Sequence, residues 1–210
     1  MRDLSGIPVM LDVTGRRCLV VGGGRVAARR ARALQAAGAE VVVVAPQVDP
    51  AVAQIGGEIR QRAFEADDLD GAWLVVVATN NPTVNQAVHA EARTRNLLVN
   101  RADDADASDL AFMVSHRDGP LTAAVHTGGA SAAAAVRIRD AVAAQLDPDW
   151  PVLLRHAKSA RRKIQATVAD PTKRTALLGR LTDNAAMQAL KSGGESALEG
   201  FYADMIRDSD

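Results

Sequence analysis

The segment Arg17 to Ala28, Arg-Cys-Leu-Val-Val-Gly-Gly-Gly-Arg-Val-Ala-Ala, constrains this chain more than any other. A short apolar run enters three glycines, and a helix-forming run leaves them. A buried parallel strand feeds a tight turn and a helix start in that order. Such a turn has no Cβ in the way, free backbone N–H groups, and the positive end of a helix dipole behind it. Those are the requirements of a pyrophosphate site. Gly22, Gly23, Gly24, Arg25, Val26 and Ala27 fit the pattern G-x-G-x-x-A. Gly22 makes the turn, Gly24 admits the diphosphate, and Ala27 lets helix lie close to strand. The competing reading is a glycine turn without a ligand. The strand before it and the helix after it favour a dinucleotide.

The pattern on either side extends this reading. Val41–Val44 is an unbroken β-branched run, and Leu74–Ala78 and Leu97–Asn100 are further apolar strands. Ile59–Ala63 alternates, and Val9–Val13 reads as a short edge strand. Arg25–Ala37 has helical spacing and stops at Gly38. Pro82–Arg95 is a second helix with Asn96 near its end, and Ala51–Ile55 a weak one. Strands alternating with helices imply a parallel sheet wound right-handedly. After Asp109 the pattern changes. Phe112–Ser115 and Leu121–Val125 read as strands, and Thr127–Ser131 is a second glycine turn. An Ala-rich helix runs to about Leu146. Beyond a break at 147–151, helices are predicted over Val152–Val168, Thr172–Leu181, Ala185–Lys191 and Ala197–Ile206, with no strand signal.

Ligands of an open parallel sheet sit beyond the carboxyl ends of its strands. Ala45 and Pro46 fall there after the second strand, where an acid usually holds the adenosine ribose. No carboxylate stands at that position, so NAD against NADP is not decided by this rule. Thr79 and Asn80 fall beside the cofactor as well. Thr79-Asn80-Asn81-Pro82 is equally a helix-capping sequence, and the two roles are compatible. Asn100-Arg101-Ala102-Asp103-Asp104 follows the last strand. Its adjacent carboxylates are either a proton acceptor near a nicotinamide or ordinary loop acids.

Composition closes off other classes. Hydrophobic residues make up 48% of the 210 residues and aromatics only 3%, so the core is built from Val, Leu, Ile and Ala, as in parallel sheets. The single cysteine, Cys18, excludes a disulfide within the chain and a cysteine-zinc cluster. It reads as a small buried apolar residue. A net charge of zero predicts no general attraction to nucleic acid. The stretch Arg155–Arg180 is basic, with Asp170 its only acid: an anion-facing surface or a solvated helix face. No apolar run approaches the roughly 18 residues of a membrane span, and no leader pattern stands at the start. A cytoplasmic protein is expected.

Taken in order, these motifs resemble the precorrin-2 dehydrogenase / sirohydrochlorin ferrochelatase family, the N-terminal module of siroheme synthase. The resemblance rests on Pro8–Asp12, Val20–Ala27, Val44-Ala45-Pro46, Ala78–Asn81, Val99-Asn100 with Asp103-Asp104, Gly119-Pro120-Leu121 and Thr127–Ser131. It covers residues 5–146 well and the tail loosely. It implies an α/β fold: a Rossmann-type NAD-binding domain over 1–113, a small α+β dimerisation region over 114–148, and an all-α C-terminal domain over 149–210. It implies a homodimer that oxidises precorrin-2 to sirohydrochlorin with NAD⁺. Some members also insert Fe²⁺, and Co²⁺ is a second candidate metal.

The family's functional aspartate falls on Asp103, with Asp104 as the alternative, and a loop serine of relatives falls on Thr127. On this view Thr127, Gly128 and Gly129 hold a substrate carboxylate at a helix start, or Thr127 only caps that helix. Arg117, Arg137 and Arg139 are candidate carboxylate clamps. His126 is the candidate metal residue, ahead of His116 and His156, and His89 sits within a helix. The chain departs from the family at Arg101, which puts a cation beside the aspartate, at Ala132, where a Pro is usual, and at Arg117-Asp118-Gly119. Two other readings stay open: a non-catalytic dinucleotide sensor, and a chelatase whose glycine loop is vestigial.

Overall fold

The computed structural model describes residues 6–208. Residues 1–5, where the first predicted domain begins, and 209–210, where the helical domain ends, lie outside the described residues. The chain divides into two compact units, Met1–Phe112 and Met113–Asp210.

The first unit holds five parallel strands: β1 (Arg17–Val21), β2 (Glu40–Val44), β3 (Glu58–Arg60), β4 (Leu74–Val77) and β5 (Leu98–Arg101). Their order is β3-β2-β1-β4-β5. Alternate residues of β1 serve opposite faces, as the two-residue period of a strand requires. Cys18 and Val20 join Ala27, Ala31 and Leu34 of helix α1 (Arg25–Ala36). Leu19 and Val21 join Val88 and Ala92 of helix α3 (Pro82–Thr94). Both faces are covered, which is why β1, β2 and β4 read as unbroken apolar runs. Burial pushes the Cys18 thiol up to about 11, so it behaves as the small apolar residue expected. The three alanines on the buried face of α1 let that helix approach the sheet closely. Because β1 pairs with β2 on one side and β4 on the other, the strand order switches at β1. A crevice opens at such a switch point.

Three expectations need correction. Val9–Val13 forms no strand: Val13 is buried, but Val9 and Met10 are 59% and 74% exposed, and no strand pairs with this segment. β3 ends at Arg60 rather than Ala63, because Arg60 and Arg62 both turn onto Asp68 and draw the chain off the ladder. The strand expected from Phe112 starts at Val114, because the Phe112 ring lies beneath the Arg30 guanidinium at 4.2 Å, within the first unit.

The second unit opens with an antiparallel hairpin, β6 (Val114–Asp118) and β7 (Leu121–Val125), turned at Gly119. Helix α4 (Ala132–Gln145) follows. Then α5 (Trp150–Thr167), α6 (Pro171–Arg180) and α7 (Asn184–Arg207) bury Leu153, Ile164, Leu177, Leu190, Leu198 and Tyr202 together. The two last predicted helices are the arms of α7, broken at Gly193 and Gly194, where φ is 68° at Gly194.

A candidate dinucleotide site

Two of the three glycines are demanded by the protein itself. Gly22 sits at φ 134°, donates its N–H to the Val44 carbonyl at 2.9 Å, and would place a Cβ 2.3 Å from the Ala78 oxygen. A Cβ on Gly23 would fall 1.8 Å from the Gln47 oxygen. Gly24 is different: a Cβ there meets nothing within 4 Å. Packing does not explain its missing side chain, but a group resting on the loop from outside does.

Helix α1 begins at that open position. Gly24 is its N-cap in extended conformation, no side chain accepts from its first-turn N–H groups, and no acid lies in that turn. The other helices of the unit are capped. Asp49 accepts the Ala51 N–H at the start of α2 (Pro50–Ala53), and Asn81 accepts those of Thr83 and Val84 at α3. A helix start left with free donors and an unopposed dipole is suited to an anion. The residues present therefore fit the pyrophosphate of a dinucleotide.

Around this loop lies a cleft of about 820 Å³. It brings together Gly22, Gly23, Gly24, Arg25 and Val26 with Ala45 and Pro46 from the end of β2 and Thr79 and Asn80 from the end of β4. Ala27 does not line it; it is fully buried behind the loop, where it spaces helix from sheet. Gln47, Asp49 and Phe64 line the cleft too and were not expected. The Thr79 hydroxyl donates to Asn85 Oδ1 at 2.6 Å and accepts the Asn81 N–H at 3.0 Å, and Asn81, the cap of α3, lines the cleft as well, so capping and cleft lining coincide in this segment.

Asp103 lies at the same sheet edge. Arg101 ends β5 with its side chain only 8% exposed and grips Asp103 twice, Nη2 to Oδ2 at 2.8 Å and Nε to Oδ1 at 3.2 Å. Its Nη1 donates to Gln86 at 3.0 Å. The Arg101 hydrogen bond holds the Asp103 carboxyl down at about 2, with burial opposing and Asn85 assisting. Asn85, which accepts from the Thr79 hydroxyl, also favours the charged form of Asp103. A carboxylate this weakly basic stays charged at neutral pH and is a poor proton acceptor. The arrangement makes Asp103 a fixed anion. Asp104 accepts the N–H groups of Asp106 and Ala107, which makes it a turn-closing acid.

The remaining candidates belong to the second unit. Thr127 is engaged within its own turn: its hydroxyl donates to the Ser131 carbonyl at 3.1 Å. The Ala-rich helix follows the glycine turn as expected and begins at Ala132, with Ser131, not Thr127, as its cap, accepting the Ala134 N–H. Gly128 and Gly129, at φ 61° and 82°, form the turn before it. His126 Nδ1 accepts the Gly128 N–H at 3.3 Å. Among the described residues, no group of three or more His, Cys, Asp or Glu is placed to hold a metal ion. Arg117 on β6 and Arg137 on α4 are exposed, and Arg139 donates to Asp140 at 2.7 Å.

A family model described as "Putative NAD(P)-binding" matches residues 9–114, the glycine loop and the whole sheet. The chain belongs to this family. It is 36% identical over 194 residues to a siroheme synthase of Chromobacterium violaceum, a match covering 90% of the chain and 41% of the relative. A siroheme synthase of Pseudomonas entomophila is 37% identical over 172 residues, 80% of the chain and 37% of the relative. The chain thus spans about two fifths of the length of these relatives. Among solved structures, SirC, a precorrin-2 dehydrogenase, superposes with a TM-score of 0.78 at 26% identity, covering 97% of this chain and all of that one. The expected architecture, a Rossmann-type parallel sheet followed by a helical region, is the one observed. Among the described residues, no helix is long and apolar enough to cross a membrane.

Sequence reading missed Gln47 and Asn85 in this NAD(P)-binding domain for one reason. Both are ordinary polar residues whose importance lies in what the fold sets beside them. A partial signal existed for Gln47, three residues past the strand whose end carries the ribose in such folds.

Proposed function

We propose that the chain is an NAD⁺-dependent dehydrogenase that oxidises precorrin-2 to sirohydrochlorin. The observation carrying this reading is the uncapped start of α1 behind Gly24, open to a cleft that Thr79 and Asn80 also line. It is supported by the likeness to SirC along the full chain and to siroheme synthases over most of it.

When bound, the nicotinamide supplies the hydride acceptor for a reaction in which the macrocycle loses two electrons and two hydrogens, one as hydride and one as a proton. The chain's own residues bind and orient. First-turn N–H groups of α1 hold the diphosphate, and Thr79 and Asn80 border the path from it along the carboxyl edge. Asp103, kept ionised by Arg101, accepts hydrogen bonds from the ring N–H groups of the tetrapyrrole, and the released proton passes to water. In the second unit, Arg117, Arg137 and the Thr127–Gly129 turn contact the substrate's carboxylates. The functional division is a cofactor domain, a dimerisation region over 114–148 and a helical domain, working as a cytoplasmic homodimer. A chelatase step would take Fe²⁺ or Co²⁺ as substrate, with His126 beside it.

The test is to add precorrin-2 and NAD⁺ without oxygen and follow NADH absorbance. NADH must form, and Asp103→Asn must lose turnover while still binding NAD⁺. Cofactor binding without NADH would leave a dinucleotide sensor. Metal insertion into sirohydrochlorin without NADH formation would leave a chelatase.

A further inference from the structure

We infer that Arg30 of α1 receives a carboxylate of the macrocycle lying against the nicotinamide, and so fixes how that substrate is placed. This rests on the precorrin-2 reading above and deepens it. Arg30 is half-buried, and its guanidinium lies over the Phe112 ring at 4.2 Å. Among the described residues no carboxylate pairs with it, and its buried Nε has no hydrogen-bond partner. Its neighbour Arg32, by contrast, donates to the Ala51 carbonyl at 2.9 Å. Burial lowers the Arg30 pKa to about 10, with Arg29 adding repulsion, so the group is still charged at neutral pH. A cation withdrawn from water without an anion is costly, and the aromatic ring offsets only part of that cost. An anion arriving with a ligand supplies the rest.

The helix places this charge beside the cleft. Val26 lines the cleft, and Arg30 stands one turn later on the same face of α1, where Cβ atoms are about 5–6 Å apart. Helical side chains lean toward the helix N-terminus, here toward the glycine loop. Phe112 shows which side of the sheet this face serves. Two residues before it, the Leu110 carbonyl accepts Asn100 Nδ2 of β5 at 2.9 Å. The Arg30 face of α1 therefore turns toward β4 and β5 and away from β2. In such folds the adenosine ribose lies at the end of β2, so the nicotinamide lies on the opposite side. Thr79 and Asn80 after β4, and Asp103 after β5, belong to that side too. Val26 and Phe112 add apolar surface beside the guanidinium. An apolar ring edged with carboxylates fits both features, and arginine binds such a group in a fork.

Three variants of the full chain are compared with the wild type by oxidation of precorrin-2 with NAD⁺, by calorimetry with NAD⁺ and by urea unfolding. Arg30→Met keeps an unbranched stem on the Phe112 ring and removes the charge. Arg30→Lys keeps the charge without the fork. Arg29→Met removes the exposed neighbouring charge, about 100° round the helix. Arg30→Met should raise KM for precorrin-2 about tenfold or more, the weight of one charge-assisted hydrogen bond, with kcat little changed. Its NAD⁺ affinity should be that of the wild type. Its urea midpoint should be equal or higher, because an unpaired, half-buried charge has gone. Arg30→Lys should recover part of the lost affinity, and Arg29→Met should stay within about twofold of the wild type. An unchanged KM in Arg30→Met, or an equal rise in Arg29→Met, overturns the inference. So does a lowered urea midpoint or a failure of Arg30→Met to fold, since the charge then serves the fold. If the wild type forms no NADH from precorrin-2, the underlying reading of the chain falls instead.

Discussion

The parallel sheet of the first unit and the hairpin with α4 in the second are built from the same residue types and treat them in opposite ways. Every residue of β4, Leu74–Val77, is buried. No residue of β6 or β7 is buried, and α4 hides only Ala135 among its fourteen residues. Val136, Ile138 and Val142 stand exposed on α4. Helices on both faces of the sheet complete its core. The hairpin and α4 leave apolar side chains on the surface of this unit.

The largest test of this contrast removes volume from each side. Leu19 is fully buried in the central strand, so Leu19→Ala should cost about 2–5 kcal/mol through lost transfer energy and a residual cavity. Leu121 on β7 is only partly buried, so Leu121→Ala should cost less than about 1.5 kcal/mol. Urea unfolding midpoints measure both. Equal losses would mean that the hairpin is as tightly packed as the sheet.

Asp68 comes next. Its carboxylate is fully buried and receives Arg60 and both terminal nitrogens of Arg62, at 2.7–2.8 Å, with the Glu65 N–H at 2.9 Å. Burial alone would push its carboxyl up, but these four donors hold it far below the ordinary 3.8. A folded-state pKa below the unfolded one gives stability that is present above about pH 4 and lost as pH falls through the folded value. Asp103 adds a smaller term of the same sign. Asp68→Asn should therefore cost about 1–3 kcal/mol at pH 7, less than a fully enclosed pair because water reaches both arginines. Its stability should also fall less steeply than that of the wild type between pH 5 and about 2. Parallel pH profiles would show that the carboxylate is not what ties β3 to the 3₁₀ turn Ala66–Leu69.

These two sites differ in how far the sequence announces them. Leu19 sits in an apolar run beside three glycines, and periodicity alone puts it inside. Asp68 sits among Glu65, Asp67 and Asp70, and no pattern marks it as the buried one. Its partners come from residues that the sequence pattern reads as one alternating strand, of which Arg62 lies beyond the ladder and reaches Asp68 instead. Arg101 lies between these cases. The chain shows a cation two residues before Asp103, but only the fold shows that the pair closes and lowers the carboxyl. The segment Val9–Val13 errs the other way: it has strand composition without a neighbouring strand to pair with. Local pattern finds elements whose cause is local, and side chains joined across the fold escape it.

The glycine loop carries that distinction within three residues. Gly23→Ala drives a Cβ into the Gln47 carbonyl, and an overpacking cost of about 1–3 kcal/mol is expected. Gly24→Ala meets open space at φ −90°, so its unfolding midpoint should stay within about 0.5 kcal/mol of wild type. Calorimetry with NAD⁺ should nevertheless show it weakened at least about tenfold, because the added methyl stands where the diphosphate would rest. Full affinity in Gly24→Ala would move the ligand off the helix start.

The smallest effect on the folded chain is expected at α4, and it is the most informative about the second unit. Ile138 is 47% exposed, so Ile138→Asp removes little internal packing and should shift stability by no more than about 0.5 kcal/mol. If α4 meets a second copy of the chain, the same change buries a charge at an apolar contact, a cost of several kcal/mol to association alone. Light scattering at micromolar concentration should then report twice the chain mass for the wild type and a single chain mass for the variant, with unchanged circular dichroism. A wild type of single chain mass, or a variant that remains dimeric, would assign the exposed stripe of α4 to something other than self-association. The hairpin and α4 would then be a surface that needs no second copy.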